Sequence, residues 1–91
     1  MTSAVTGPVQ ADAAARTLGT PATATATCPP GTVLLGGGAS ATTSLGTQLD
    51  RVALAESAPV APNLWRATAM TLHQLSAANR ARILVWVVCT V

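Results

Sequence analysis

The chain closes on the apolar run Ile83-Leu84-Val85-Trp86-Val87-Val88-Cys89. β-Branched residues and a tryptophan dominate this run, which is typical of a β-strand. Alternate residues of a strand point to opposite faces, so Leu84, Trp86 and Val88 share one face and the other four share the second. Both faces are apolar, which places such a strand inside a packed sandwich or at a subunit interface. We assign Leu84, Trp86 and Val88 to an assembly interface.

Three more strands are predicted before this one, separated by proline, glycine and serine residues that favour turns. The predicted strands are residues 32–39, 48–57, 64–75 and 81–91. Gly36, Gly37 and Gly38 lie in the first of them and are interpreted as a structural turn, meaning a bulge, a sharp bend or a close backbone approach. The predicted fold class is all-β, a small antiparallel sheet, sandwich or prism-like domain of about four main strands.

Residues 1–27 differ from the rest, because they are almost entirely Ala, Thr, Gly, Pro, Val and Ser. They are predicted to form an extended N-terminal arm that lies on a neighbouring subunit, beside a β domain at residues 28–91. Asp12 and Arg16 stand four residues apart and Gly19 can take a left-handed closing position, which favours a short helix at residues 10–18. The alternating Ala and Thr of residues 20–27 favour an extended path.

Two cysteines, Cys28 before the first predicted strand and Cys89 in the last, suggest a disulfide in so small a domain. A disulfide that closes the loop between them would add roughly 4 kcal/mol to the free energy of unfolding in the chain-entropy model. Two buried free thiols are the alternative.

The composition argues against an enzyme, because one His and three acids leave few groups for chemistry. His73 has no metal-ligand spacing around it, and no motif positions a serine nucleophile. Asp50 and Glu56 lie too far apart along one strand to act as a carboxylate pair. No catalytic, cofactor or metal site is predicted, and Trp65 and Trp86 are interpreted as packing residues rather than stacking platforms.

The charge and hydropathy of the chain indicate which classes of partner it can bind. Only 9% of residues are charged and the net charge is +2, carried by scattered arginines, so no nucleic-acid interface is predicted. No signal peptide and no membrane-spanning run is expected. At 49% hydrophobic, the chain is predicted to bury surface against copies of itself or a larger assembly.

The order Cys28-Pro29-Pro30-Gly31, Gly36-Gly37-Gly38, Ser57-Ala58-Pro59, Trp65 and a closing apolar strand ending in Cys89 resembles a known pattern. It is similar to a small β domain of secreted and surface proteins of actinobacteria and of structural proteins of their phages. The resemblance covers residues 28–91 and implies that Cys28 and Cys89 pair.

The expected function is that of a non-enzymatic virion structural protein on the capsid exterior. In this interpretation a phage capsid decoration (cement) protein stabilises the shell through its N-terminal arm and its apolar contacts. Its partners would be copies of itself, arranged as a trimer, and the major capsid protein. A secreted or surface adhesion or carbohydrate-binding module and a phage tail or fibre component are the alternatives.

Overall fold

The computed structural model describes residues 3–90, which form six strands and one 3₁₀ turn at Leu49–Arg51. The strands are β1 (Ser3–Asp12), β2 (Pro21–Thr27), β3 (Leu34–Thr43), β4 (Val52–Ala61), β5 (Leu64–Thr71) and β6 (Ala81–Thr90). They form two three-stranded sheets, in the orders β1-β6-β3 and β2-β5-β4, and every pairing is antiparallel. The all-β antiparallel prediction is confirmed, as a sandwich with six strands instead of four.

The predicted N-terminal arm is corrected by the pairing of β1 and β2. Both strands are extended, but β1 pairs with the central strand β6 and β2 pairs with the central strand β5. Residues 3–12 and 21–27 are therefore edge strands of the two sheets, and no boundary separates them from the rest of the sandwich. β2 packs into the sandwich because its alternation places Ala22, Ala24 and Ala26 on the buried side and the threonines between them on the exposed side.

The predicted helix at residues 10–18 is wrong. Asp12 ends β1, and its carboxylate pairs with Arg82 of the neighbouring strand instead of with Arg16. Arg16 donates from its guanidinium to the carbonyl of Leu75 at 3.1 Å, which ties this loop to the loop after β5. Gly19 does adopt the left-handed region expected of it, with a φ of 85°.

Strand boundaries also move. The predicted strand at 48–57 lies at Val52–Ala61 and passes through Pro59, which is tolerated because β4 is an edge strand with a bulge between Pro59 and Ala61. The predicted strand at 64–75 ends at Thr71. The predicted last strand extends to Thr90, and Val91 lies outside the described residues.

The core lies between an alanine-rich layer and a layer of larger residues. Ala67 and Ala69 of β5 lie in the first layer together with the buried alanines of β2, and Ile83, Val85 and Val87 of β6 lie in the second. Small residues facing large ones let the two sheets interdigitate. Within the chain one face of β6 is fully buried and the other is half-buried, because two sheets cover only their inner faces. Of the two settings expected for a strand with two apolar faces, the sandwich accounts for the first face, and the subunit interface stays a prediction for the second.

The disulfide between Cys28 and Cys89 is formed and joins the two sheets at one end of the sandwich. Cys28 directly follows β2 in one sheet, and Cys89 belongs to β6 in the other. Their Cα atoms lie 5.8 Å apart and both residues are buried.

A buried asparagine organises the opposite end. The side-chain oxygen of Asn79 accepts a hydrogen bond from the backbone N–H of Leu45 at 3.1 Å, and its side-chain nitrogen donates to the carbonyl of Thr47 at 3.2 Å. The same nitrogen donates to the side chain of Gln48 at 3.3 Å. Asn79 therefore fastens the β5–β6 loop to the β3–β4 loop, and its complete burial is compensated by these bonds.

Candidate interaction surface

The outer face of the β1-β6-β3 sheet carries a strip of apolar side chains that no other part of the described chain covers. Leu84, Trp86 and Val88 of β6 are half-buried there, and Val5 of β1, which stands opposite Val88, is 66% exposed. We call these four residues the Trp86 face. They include all three residues assigned from the sequence to an assembly interface, and the alternation of β6 places them together as expected.

Trp86 is flanked by glycines on both neighbouring strands. Gly38 of β3 stands opposite it, and a Cβ added to Gly38 would lie 3.1 Å from three atoms of the indole. On the other side, β1 has a bulge between Thr6 and Val9, and a Cβ added to Gly7 would lie 3.2 Å from the Cα of Trp86. The missing side chain of Gly38 leaves room for the indole beside β3, whereas Gly7 lets the backbone of β1 come close to the backbone of β6.

Trp65 occupies a different environment, between the two sheets. Its indole N–H donates to the hydroxyl of Ser57 at 2.9 Å, and its ring packs against Gly37 of the facing sheet. A Cβ on Gly37 would lie 2.5 Å from the ring, a separation that real atoms do not adopt. Trp65 therefore belongs to the packing of the sandwich, and of the two indoles Trp86 is the one on an outer face.

The glycine run is part of β3, which corrects its assignment as a structural turn. Gly36, Gly37 and Gly38 pair with Val88, Val87 and Trp86 of β6, and a bulge lies between Leu34 and Gly36. Of the three expected alternatives, the bulge is present, and the expected approach of another backbone is not what the glycines accommodate. The approaching groups are tryptophan side chains, and the strand continues because a bulge disturbs only one pairing.

Charged residues leave most of the Trp86 face free. Arg82 holds the carboxylate of Asp12 with two hydrogen bonds, at 2.7 and 3.1 Å, at the end of the face nearest the Asn79 loops. These hydrogen bonds lower the pKa of Asp12 below its ordinary value, against a smaller opposing effect of burial. On the other sheet, Arg66 holds Glu56 in the same way and lowers its pKa.

A second exposed apolar surface, which no sequence pattern predicted, lies beside Asn79 at the end of the sandwich formed by the loops. Its members are leucines on three different loops, exposed by 42–69%: Leu18, Leu45, Leu49 and Leu72. Backbone hydrogen bonds bring these loops together, from Gly19 to the carbonyl of Thr71 at 2.8 Å and from Leu72 to the carbonyl of Arg51 at 2.7 Å. Leucines scattered over separate loops show no period, so no sequence signal marked them.

Other sequence candidates stay apart. His73 is exposed in the loop after β5, Asp50 lies in the 3₁₀ turn, and Glu56 lies in β4 beside Arg66. Within residues 3–90 there is no group of three or more potential metal ligands and no pocket. The same residues contain no helix with the length and hydropathy needed to span a bilayer.

Leu84, Trp86 and Val88, which the sequence analysis assigned together, thus share one half-buried outer face in the structure. Comparison with family models, with curated proteins and with solved structures finds no match to this chain.

Proposed function

We propose that this chain is a non-enzymatic structural protein of a virion, a capsid decoration protein that attaches through the Trp86 face. The observation that carries the proposal is the partly exposed strip of Val5, Leu84, Trp86 and Val88 on the outer face of the β1-β6-β3 sheet. Apolar strips of this kind on small domains mark contacts with other proteins. Covering the strip would stabilise the contact by about 25 cal/mol for each Å² removed from water, and a lattice of copies multiplies the effect.

The route of attachment differs from the one expected from the sequence. The arm of residues 1–27 was expected to reach the shell, but β1 and β2 are held within the sandwich. The proposal therefore assigns attachment to the sheet face, with the major capsid protein as partner and neighbouring copies beside it. The disulfide supports a particle that must last outside the cell, because such bonds persist in oxidising surroundings.

A secreted or surface carbohydrate-binding module is the second candidate, and the position of Trp86 favours it. A half-buried indole on an outer face, with glycine and no side chain opposite it on β3, is a group on which a sugar ring can stack. This candidate predicts quenching of Trp86 fluorescence by added sugars, and the virion candidate predicts none. A tail or fibre location within a virion remains the third candidate.

The first experiment asks where the protein occurs. Peptide mass spectrometry with copy-number quantification would compare gradient-purified phage particles with the culture supernatant of the source organism. A copy number close to that of the major shell protein supports a decoration role, and a few copies per particle support the tail. Recovery only in the supernatant would contradict the virion proposal.

The second experiment tests the face. Val5→Asp places a charge on the Trp86 face at a residue exposed enough to leave folding intact, and Val60→Asp makes the same change on β4 of the other sheet, where Val60 is 40% exposed. We expect Val5→Asp and Trp86→Ala to reduce attachment to particles about tenfold or more, with Val60→Asp attaching like the unaltered protein. If both Trp86-face variants attached like the unaltered protein, the Trp86 face would not be the attachment surface.

The choice of variants on β6 matters. Val87 has no exposed surface and points into the core, so Val87→Asp would test folding only. Val88 is its half-buried neighbour on the outer face, and Val88→Asp is the informative change. Thermal unfolding of each variant separates lost attachment from lost structure.

A further inference from the structure

The two sheets have four outer edges, formed by β1, β3, β2 and β4. Three of these edges are interrupted in ways that hinder pairing with another strand. β1 has a bulge between Thr6 and Val9 with Pro8 inside it, and β3 has a bulge between Leu34 and Gly36. β4 has two bulges and contains Pro59. Bulges and prolines protect an edge, because they interrupt the row of hydrogen-bonding groups that a new strand would use.

The edge of β2 has no such protection. Its seven residues pair with β5 in continuous register from Pro21 to Thr27, without a shift. After Pro21 every residue is alanine or threonine, so neither a charge nor another proline interrupts the edge.

The unpaired groups of this edge belong to threonines. The N–H of Cys28 donates to the carbonyl of Asn63, and that of Thr71 donates to the carbonyl of Thr20, so the even-numbered residues of β2 face β5. Neighbouring residues of a strand direct their N–H and C=O groups to opposite sides. The N–H and C=O groups of Thr23, Thr25 and Thr27 therefore face outward, and no backbone hydrogen bond within residues 3–90 engages them.

The sequence of this edge suits a second copy of itself. Residues 23–27 read Thr-Ala-Thr-Ala-Thr in either direction. An antiparallel pairing about a two-fold axis at Thr25 places Thr25 opposite its own copy and Thr23 opposite Thr27 of the other molecule. Threonine pairs across antiparallel strands are favourable, and one already exists here, between the hydroxyls of Thr23 and Thr68 at 3.0 Å.

We propose that two copies of this chain associate edge to edge through β2, joining their β2-β5-β4 sheets into one continuous six-stranded sheet. Three threonines of each copy supply six backbone hydrogen bonds, and the contact is isologous. Alanines on the buried side of β2 have no bulk to obstruct the approach. The contact is distinct from the Trp86 face, so it does not depend on the proposed function.

Sedimentation velocity of the oxidised chain, from about 10 µM to about 1 mM, tests the proposal, because so small an interface gives a weak dimer. Thr25→Lys brings two like charges together at the two-fold axis and is expected to raise the dimer dissociation constant about tenfold. Thr68→Lys is the matched control, since it places the same charge on the same face of the central strand; it removes the Thr23–Thr68 hydroxyl bond but leaves the outward backbone groups of β2 in place.

A cross-link tests the register independently of any loss of folding. Residues that exchange both hydrogen bonds across an antiparallel pair have Cα atoms about 5.5 Å apart, which a disulfide can bridge. Thr25→Cys is expected to give a covalent dimer on oxidation, with Thr68→Cys remaining monomeric and the Cys28–Cys89 bond intact by peptide mapping. A monomer throughout the concentration range, a dimer that Thr25→Lys does not weaken, or no cross-link through Thr25→Cys would each overturn the proposal.

Discussion

Trp65 and Trp86 have the same side chain, and each packs against a glycine of β3. The surroundings of that contact determine how much each tryptophan contributes to the free energy of unfolding. Trp65 packs between the sheets, where its ring contacts Gly37 and its indole N–H donates to Ser57. Trp86 lies on Gly38 at an outer face, where the ring can shift toward solvent. The two glycines are therefore unequal in their tolerance of a side chain.

Alanine substitutions along the glycine run should separate these roles. We expect Gly37→Ala to lower the free energy of unfolding by about 1–3 kcal/mol, because its Cβ would overlap the Trp65 ring. Gly38→Ala should cost less, since Trp86 can yield. Gly36→Ala is the control, because nothing lies within 4 Å of its Cβ, and urea unfolding of the three variants measures the order. Equal losses at all three positions would contradict this account of the packing.

The sequence predicted some of these residue contacts and not others. Three consecutive glycines indicated a bulge, a sharp bend or a close backbone approach; the bulge occurs, and the close contacts are with tryptophan side chains instead of a backbone. Which groups approach depends on Trp65 lying opposite Gly37 across the sandwich. That contact joins residues far apart in the chain, and no local pattern encodes it. Asn79 was missed for the same reason, because its four partners lie on the β3–β4 loop.

At the scale of elements, β6 was recognised and β1 and β2 were not. β6 has large β-branched residues on its buried face, which is the strongest strand signal a sequence carries. β2 buries only alanines, and residues 1–27 hold too little apolar bulk to suggest a place in a core. Small side chains are what a thin sandwich needs opposite the valines of β6.

A pair of aspartate substitutions in β2 should show that this strand belongs to the core. Ala24 is 7% exposed and faces the valine layer, so Ala24→Asp buries an unpaired charge and should cost more than about 3 kcal/mol. Thr27→Asp places the same group at an exposed residue of the same strand and should be tolerated. Circular dichroism and urea unfolding compare the two, and equal tolerance would mean that β2 contributes no core contacts.

The ion pair between Asp12 and Arg82 fastens the edge strand β1 to β6 and should make its attachment depend on pH. Because the pKa of Asp12 is lowered in the folded state, the stabilisation is present above the unfolded pKa of about 4 and is lost as the pH falls through the lower folded value. Asp12→Asn should therefore reduce stability at pH 7 by about 0.5 kcal/mol, as is usual for a pair that water reaches, and by less at pH 2.

The measurement is the urea midpoint at both pH values. Asp50→Asn is the control, because Asp50 is an exposed carboxylate outside both ion pairs of the described residues. A loss for Asp12→Asn that is the same at pH 7 and pH 2 would assign its effect to something other than charge.

At the scale of the whole molecule, the sandwich measures 46 × 20 × 18 Å and is held differently at its two ends. One end has the covalent bond between the sheets and the other has the amide network of Asn79. A disulfide that spans 61 positions restricts the unfolded chain strongly, by about 4 kcal/mol in the chain-entropy model. A small domain has only about 5–15 kcal/mol of stability in total.

Reduction should therefore remove a large part of the stability. We expect dithiothreitol to lower the free energy of unfolding by about 4 kcal/mol, and the double variant Cys28→Ser, Cys89→Ser to be equally weak and insensitive to the reductant. Urea unfolding with and without reductant measures both. A reduced protein as stable as the oxidised one would show that the two sheets hold each other without the cross-link.

The position of the disulfide also sets how the molecule responds to a mechanical load. Ser3 and Thr90 are partners in the β1–β6 ladder, so pulling them apart peels β1 from β6 one pair at a time instead of shearing the strands. Peeling stops at the link between Cys28 and Cys89, which encloses everything between them. Only residues 3–28 can be pulled out into an extended chain, and the length of that chain is about 90 Å at about 3.5 Å per residue. Under tension the protein lengthens by that fixed amount and then holds as a closed loop.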